Sequence, residues 1–203
     1  ATSNAATLTV IVPPTIATQP VASTSVNQGQ TATFTVVASG TTPFTYQWRK
    51  DGANVSGAIN ATLALSNVQA GDAGSYSVVV TNSAGSVTSN AATLTVNVPP
   101  AIVTQPQGQS VTAGANVSFS VTASGTTPLT YQWRKDSSNI AGATNATFSL
   151  GNVQSGDAGS YSVAVSNSAG SVNSNGAVLT VTAAPVAPAI TTQPQGQSVN
   201  AGT

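Results

Sequence analysis

The chain repeats itself. Shifting the sequence by 85 positions lays Gly29–Val96 on Gly114–Val181, and 47 of the 68 aligned pairs are identical. A period of this length means that one structural unit is built twice, so any element predicted in one copy must also suit the other. The match continues past both ends. Thr2–Val10 matches Thr88–Val96, and Ala189–Val199 matches Ala101–Val111. The expected division is therefore residues 1–12 as the last strand of a preceding repeat, 13–97 and 98–183 as two whole repeats, and 184–203 as the first strands of a following one.

Within a repeat the apolar residues recur every second position. Ala32, Phe34, Val36 and Ala38 alternate mainly with threonine. Phe44, Tyr46 and Trp48 share one face of the next run. Tyr76, Val78 and Val80 share another, and Ala92, Leu94 and Val96 close the repeat. A period of two marks half-buried strands, and no stretch sustains the 3.6-residue period of a helix. Turn-forming clusters such as Ser39-Gly40-Thr41-Thr42-Pro43 and Asn82-Ser83-Ala84-Gly85 separate the runs. About seven or eight short strands in each repeat predict an all-β chain of tandem sandwiches.

Three motifs then point to a family. Trp48, Asp72-Ala73-Gly74-Ser75-Tyr76 and Asn82-Ser83-Ala84-Gly85 resemble the immunoglobulin fold, closest to its intermediate set. The resemblance implies Greek-key sandwiches with Trp48 and Trp133 in the cores. It also implies that Tyr76 and Tyr161 form a corner by bonding back to upstream backbone. The family's paired cysteines fall at Val36 and Val78, and at Val121 and Val163 in the copy, so no disulfide is expected. Cysteine-free repeats of this kind resemble those found in tandem in large bacterial secreted and surface proteins. That implies an extracellular or cell-surface setting.

Composition narrows the functions. The chain has no Cys, His or Glu, four Asp and a net charge of zero. Nucleophile–base pairs and transition-metal sites lack their usual members, so no catalysis and no cofactor or metal is expected. No basic patch is available for nucleic acid, and no apolar run is long enough to insert in a membrane.

The hexapeptides Tyr46–Asp51 and Tyr131–Asp136 hold both tryptophans and all four basic residues. Arg49 and Asp51, with Arg134 and Asp136, are the candidate surface contacts. The stem of Lys50 shares a face with Trp48, which suggests a pairing with Asp72. The expected role is structural: an array forming a stalk or filament whose partners are its neighbouring repeats and, laterally, other copies of itself. Two alternatives are an adhesin module that binds glycan or protein through its loops, and a spacer within a secreted enzyme. Val98-Pro99-Pro100 favours a stiff connector of about five residues, whereas Thr182–Ala189 is longer and should be looser.

Overall fold

The computed structural model describes residues 4–199 and 201–202. The first repeat contains β1 (Thr15–Thr18), β2 (Ser23–Asn27), β3 (Ala32–Thr35), β4 (Val37–Ser39), β5 (Thr45–Lys50), β6 (Ala53–Asn54), β7 (Thr62–Leu65), β8 (Gly74–Asn82), β9 (Gly85–Thr88) and β10 (Ala92–Asn97). The second repeats the pattern as β11 (Ala101–Thr104), β12 (Gln109–Thr112), β13 (Val117–Ser120), β14 (Thr122–Ser124), β15 (Thr130–Lys135), β16 (Ser138–Asn139), β17 (Thr147–Leu150), β18 (Gly159–Asn167), β19 (Gly170–Asn173) and β20 (Ala177–Thr182). The fold is all-β, two sandwiches in tandem, and among the described residues no helix is long and apolar enough to cross a membrane.

In each sandwich one sheet runs β2-β10-β8-β5-β6, with β9 also paired to β8. The pairs are antiparallel except that β2 lies parallel to β10. The facing layer is built from β3 with β7 and from β4 with β1. The single alternating run Thr31–Ala38 thus appears as two strands. Its chain changes partner at Val36, whose N–H bonds Ala61 O at 3.0 Å before β4 turns to β1. Alternation sets the inward side chains. Phe34, Trp48, Tyr76, Val78, Val80 and Leu94 are buried together, as are their counterparts Phe119, Trp133, Tyr161, Val163, Val165 and Leu179.

The expected strand at Thr2–Val10 begins outside the described residues, and Asn4–Val10 forms no strand. Ala189–Val199 is likewise without strand, and Leu8, Ile190 and Val199 are exposed.

Candidate functional site

The rare residues of each repeat gather at two places, the core and one corner. Trp48 and Trp133 are fully enclosed, and each indole N–H donates at 2.9 Å to a carbonyl, Asn60 O and Asn145 O. Phe34 stacks on Tyr76 and Phe119 on Tyr161, with ring centroids 5.2 and 4.8 Å apart. Val36, between β3 and β4, and Val78, in β8, are buried in the same core as Trp48, as are Val121 and Val163 with Trp133. The Tyr76 hydroxyl donates to Asp72 O at 2.8 Å and that of Tyr161 to Asp157 O at 2.7 Å. Burial, followed by the nearby aspartates, pushes both phenols above the usual tyrosine range.

At the corner the charges serve the fold. Asp51, at φ +48°, accepts the Ser75 N–H at 2.9 Å, and Asp136 accepts that of Ser160 at 2.9 Å. Arg49 Nε donates to Asn54 Oδ1 at 3.1 Å, and Arg134 Nε to Asn139 Oδ1 at 2.9 Å. The Ser160 N–H, then Lys135, holds the Asp136 carboxyl below the ordinary range. The suggested Lys50–Asp72 pair does not form. Lys50 Nζ instead bonds Gly71 O and lies 4.0 Å from Asp51, while Asp72 Oδ2 accepts the Gln69 N–H at 2.7 Å. Asp72 reaches back to Gln69 in a capping box at the 3₁₀ turn Ala70–Asp72, as Asp157 does to Gln154 at Ser155–Asp157, so its acceptor is taken locally. Among the described residues no group of three or more metal-ligating side chains occurs.

A second constellation, not anticipated from the sequence, lies where the chain passes between repeats. The Asn97 carbonyl accepts the Gln28 N–H at 2.9 Å, and its side-chain amide donates to Ser25 Oγ at 3.1 Å. Asn97 is therefore tied to the first repeat. Val98, the next residue, is tied to the second. Its N–H donates to Thr126 Oγ1 at 2.8 Å, and its carbonyl accepts both the Thr126 N–H at 3.0 Å and Asn167 Nδ2 at 2.8 Å. Asn167 Nδ2 also reaches Thr126 O at 2.9 Å, and its Oδ1 accepts the Ala169 N–H at 2.9 Å. One side chain thus ties the β18–β19 turn, the β14–β15 loop and the entering chain together.

The same clamp recurs at the start of the first repeat. Val12 bonds Thr41 through both its N–H and its carbonyl, and Asn82 Nδ2 donates to Val12 O at 2.8 Å. The clamp needs a glycine beside it. A Cβ on Gly125, at φ +136°, would lie 2.9 Å from Pro100 Cα and 3.1 Å from Pro99 O. The expected five-residue connector is thereby corrected. The Asn97–Val98 peptide itself carries a bond to each domain, its carbonyl to the first and its N–H to the second, because Val98 is captured before the prolines are reached.

An immunoglobulin domain model matches residues 13–82 and again 99–167. The chain belongs to the immunoglobulin domain family. Human Roundabout homolog 1 is 31% identical over 189 residues, covering 84% of this chain and 11% of that protein. The chain therefore spans about a ninth of the length of that relative. The decoration protein of Escherichia phage T5 is 41% identical over 91 residues, covering 44% of this chain and 55% of its own length. Among solved structures, the I-band fragment I67–I69 from titin superposes with a TM-score of 0.71 at 26% identity, covering 86% of this chain and 67% of the fragment. These immunoglobulin domains are thus tandem units of the kind that also occurs in adhesion and structural proteins.

Proposed function

We propose that the two immunoglobulin domains, residues 13–97 and 98–183, are load-bearing segments of a stalk or filament of an extracellular or cell-surface protein, without catalytic activity. Val12 joins the first of these domains, held by Thr41 and Asn82, and residues 1–11 and 184–203 are assigned to the neighbouring units of the array. The observation that carries this reading is the pair of anchors on consecutive residues. The Asn97 carbonyl, bound to one domain, and the Val98 N–H, bound to the next, belong to one planar peptide, so bending the joint through ψ of Asn97 or φ of Val98 breaks one of these bonds. A spacer needs that stiffness, and a loose tether does not. After the second domain the arrangement differs. Thr182 O accepts the Ala113 N–H at 2.8 Å, yet Val186, the counterpart of Val98, comes four positions later. Ala183, Ala184 and Pro185 are thus additional residues, and that joint is proposed as the flexible one.

The core tyrosines and tryptophans hold each unit together, and Arg49, Asp51, Arg134 and Asp136 brace its corner. A lateral surface role for those four is secondary, since each already has a partner within its own domain. Similarity to a phage protein supports a bacterial or phage setting for cysteine-free domains such as these. The same relative favours a second reading, a module that decorates a larger surface and binds protein or glycan.

Small-angle X-ray scattering tests the first reading. The chain is expected to give one extended distance distribution, and inserting Gly-Ser-Gly-Ser between Asn97 and Val98 should broaden and shorten it. An unchanged distribution after insertion would mean that the joint was already loose.

A further inference from the structure

Each sandwich leaves several strands with a free side: β1, β2 and β6 as well as β7 in the first domain, and β11, β12 and β16 as well as β17 in the second. β7 pairs only with β3, and β17 only with β13. The bond from Val36 N to Ala61 O fixes the phase of the first pair, so Phe34 and Leu63, and Ala32 and Leu65, exchange hydrogen bonds. The N–H and C=O groups of Thr62 and Ala64 therefore point away from the sheet. Val121 N to Ala146 O sets the same phase in the second domain, and the outward residues there are Thr147 and Ser149.

Protein edges are usually blunted by lysine, proline or a bulge. β7 and β17 contain none of these, and the charged residues lie in β5, β15, the turns that follow them and the 3₁₀ turns. Bringing two such edges together desolvates no charge, and what each edge recognises is another extended strand.

The two edges also differ in a complementary way. Ile59, just before β7, is 62% exposed, whereas the second domain has Thr144 at this position. At the far end of β17 an open surface hollow of about 340 Å³ lies among Asn116, Val117, Ser118, Ser149, Leu150 and Gly151. Gly151 stands where the first domain has Ser66. Antiparallel pairing that sets Thr62 against Ser149 and Ala64 against Thr147 carries Ile59 to that end, over the hollow.

We propose that β7 of one copy pairs with β17 of a second copy, with Ile59 resting in the surface hollow beside Gly151. This rests on the structural-repeat reading above and names its lateral partner. The contact joins unlike surfaces, so a pair of copies keeps one free β7 edge and one free β17 edge, and assembly continues into a fibre rather than closing as a dimer.

Sedimentation velocity over a concentration series on the whole chain, with Ala64→Lys and Ser149→Lys, tests it. The unmodified chain should form species larger than dimers as concentration rises. Each variant alone should be monomeric. An equal mixture should stop at a dimer, because only the β7 edge of S149K and the β17 edge of A64K remain open. Ile59→Asn should weaken association roughly ten-fold or more. Ala64→Pro removes only an outward N–H and serves as a second block if lysine perturbs folding. Unchanged tryptophan fluorescence confirms each fold. A monomer at every concentration up to the solubility limit overturns the proposal, as does continued association of either variant alone. Neither result bears on the stiffness of the joint, which scattering reads separately.

Discussion

Trp133 shows how much one residue of this chain can reveal in advance. Its place on an apolar face follows from alternation with Tyr131 and Leu129, and its burial follows from the size of the indole in a layer about 10 Å thick. Its hydrogen-bond acceptor does not follow, because Asn145 O is delivered by a loop 12 residues away. Trp133→Ala should cost about 3–5 kcal/mol, read as a lower urea midpoint for the second domain. Tyr161 makes a prediction at high pH. Its folded pKa is raised, so its contribution is complete below the ordinary tyrosine pKa of ~10 and is lost as pH climbs through the folded value. Stability should therefore fall in strong alkali, and Tyr161→Phe should flatten that part of the profile while lowering stability at neutral pH. Asp136 has the opposite sign. Its lowered folded pKa stabilises the native state above the ordinary carboxylate range, and the gain disappears as pH falls through the folded value. Asp136→Asn should remove part of the acid sensitivity in a thermal-melt series. The aspartates looked like surface marks in the sequence because an acceptor aimed at a backbone N–H across a turn leaves no periodic trace.

Among the elements, strand positions were legible and strand partners less so. The alternating run Thr31–Ala38 gives the right faces, but its division at Val36 arises from a change of neighbour that periodicity cannot encode. The joint shows the same limit. Pro99-Pro100 signals stiffness locally, whereas the residues that fix Val98, Thr126 and Asn167, are 28 and 69 positions away. Two substitutions probe this element. Asn167→Ala removes the bonds to Val98 O and Thr126 O and should loosen the joint, seen as a wider distance distribution between spin labels in the two domains. Gly125→Ala places a methyl against Pro100 in a backbone region that favours glycine. It should lower the stability of the second domain by about 1–3 kcal/mol and displace the entering chain. If Asn167→Ala leaves the spin-label distances untouched, the prolines alone set the geometry.

For the whole molecule, the two domains behave mechanically as one only if the clamp between them holds. Each domain fixes its own shape through a core with no covalent staple, and the length of the proposed array follows from how consecutive units are joined. In the proposed array, near-neutral surfaces would remove long-range repulsion between neighbouring copies, which gives the joint, rather than charge, the larger part in spacing them. Nitrogen-15 relaxation across both domains tests the clamped joint most directly. A single anisotropic rotational diffusion tensor should describe the backbone amides of residues 15–182, and Asn97 and Val98 should be as ordered as the strands on either side. Separate correlation times for residues 15–97 and 99–182, with raised mobility at Asn97 and Val98, would contradict the account.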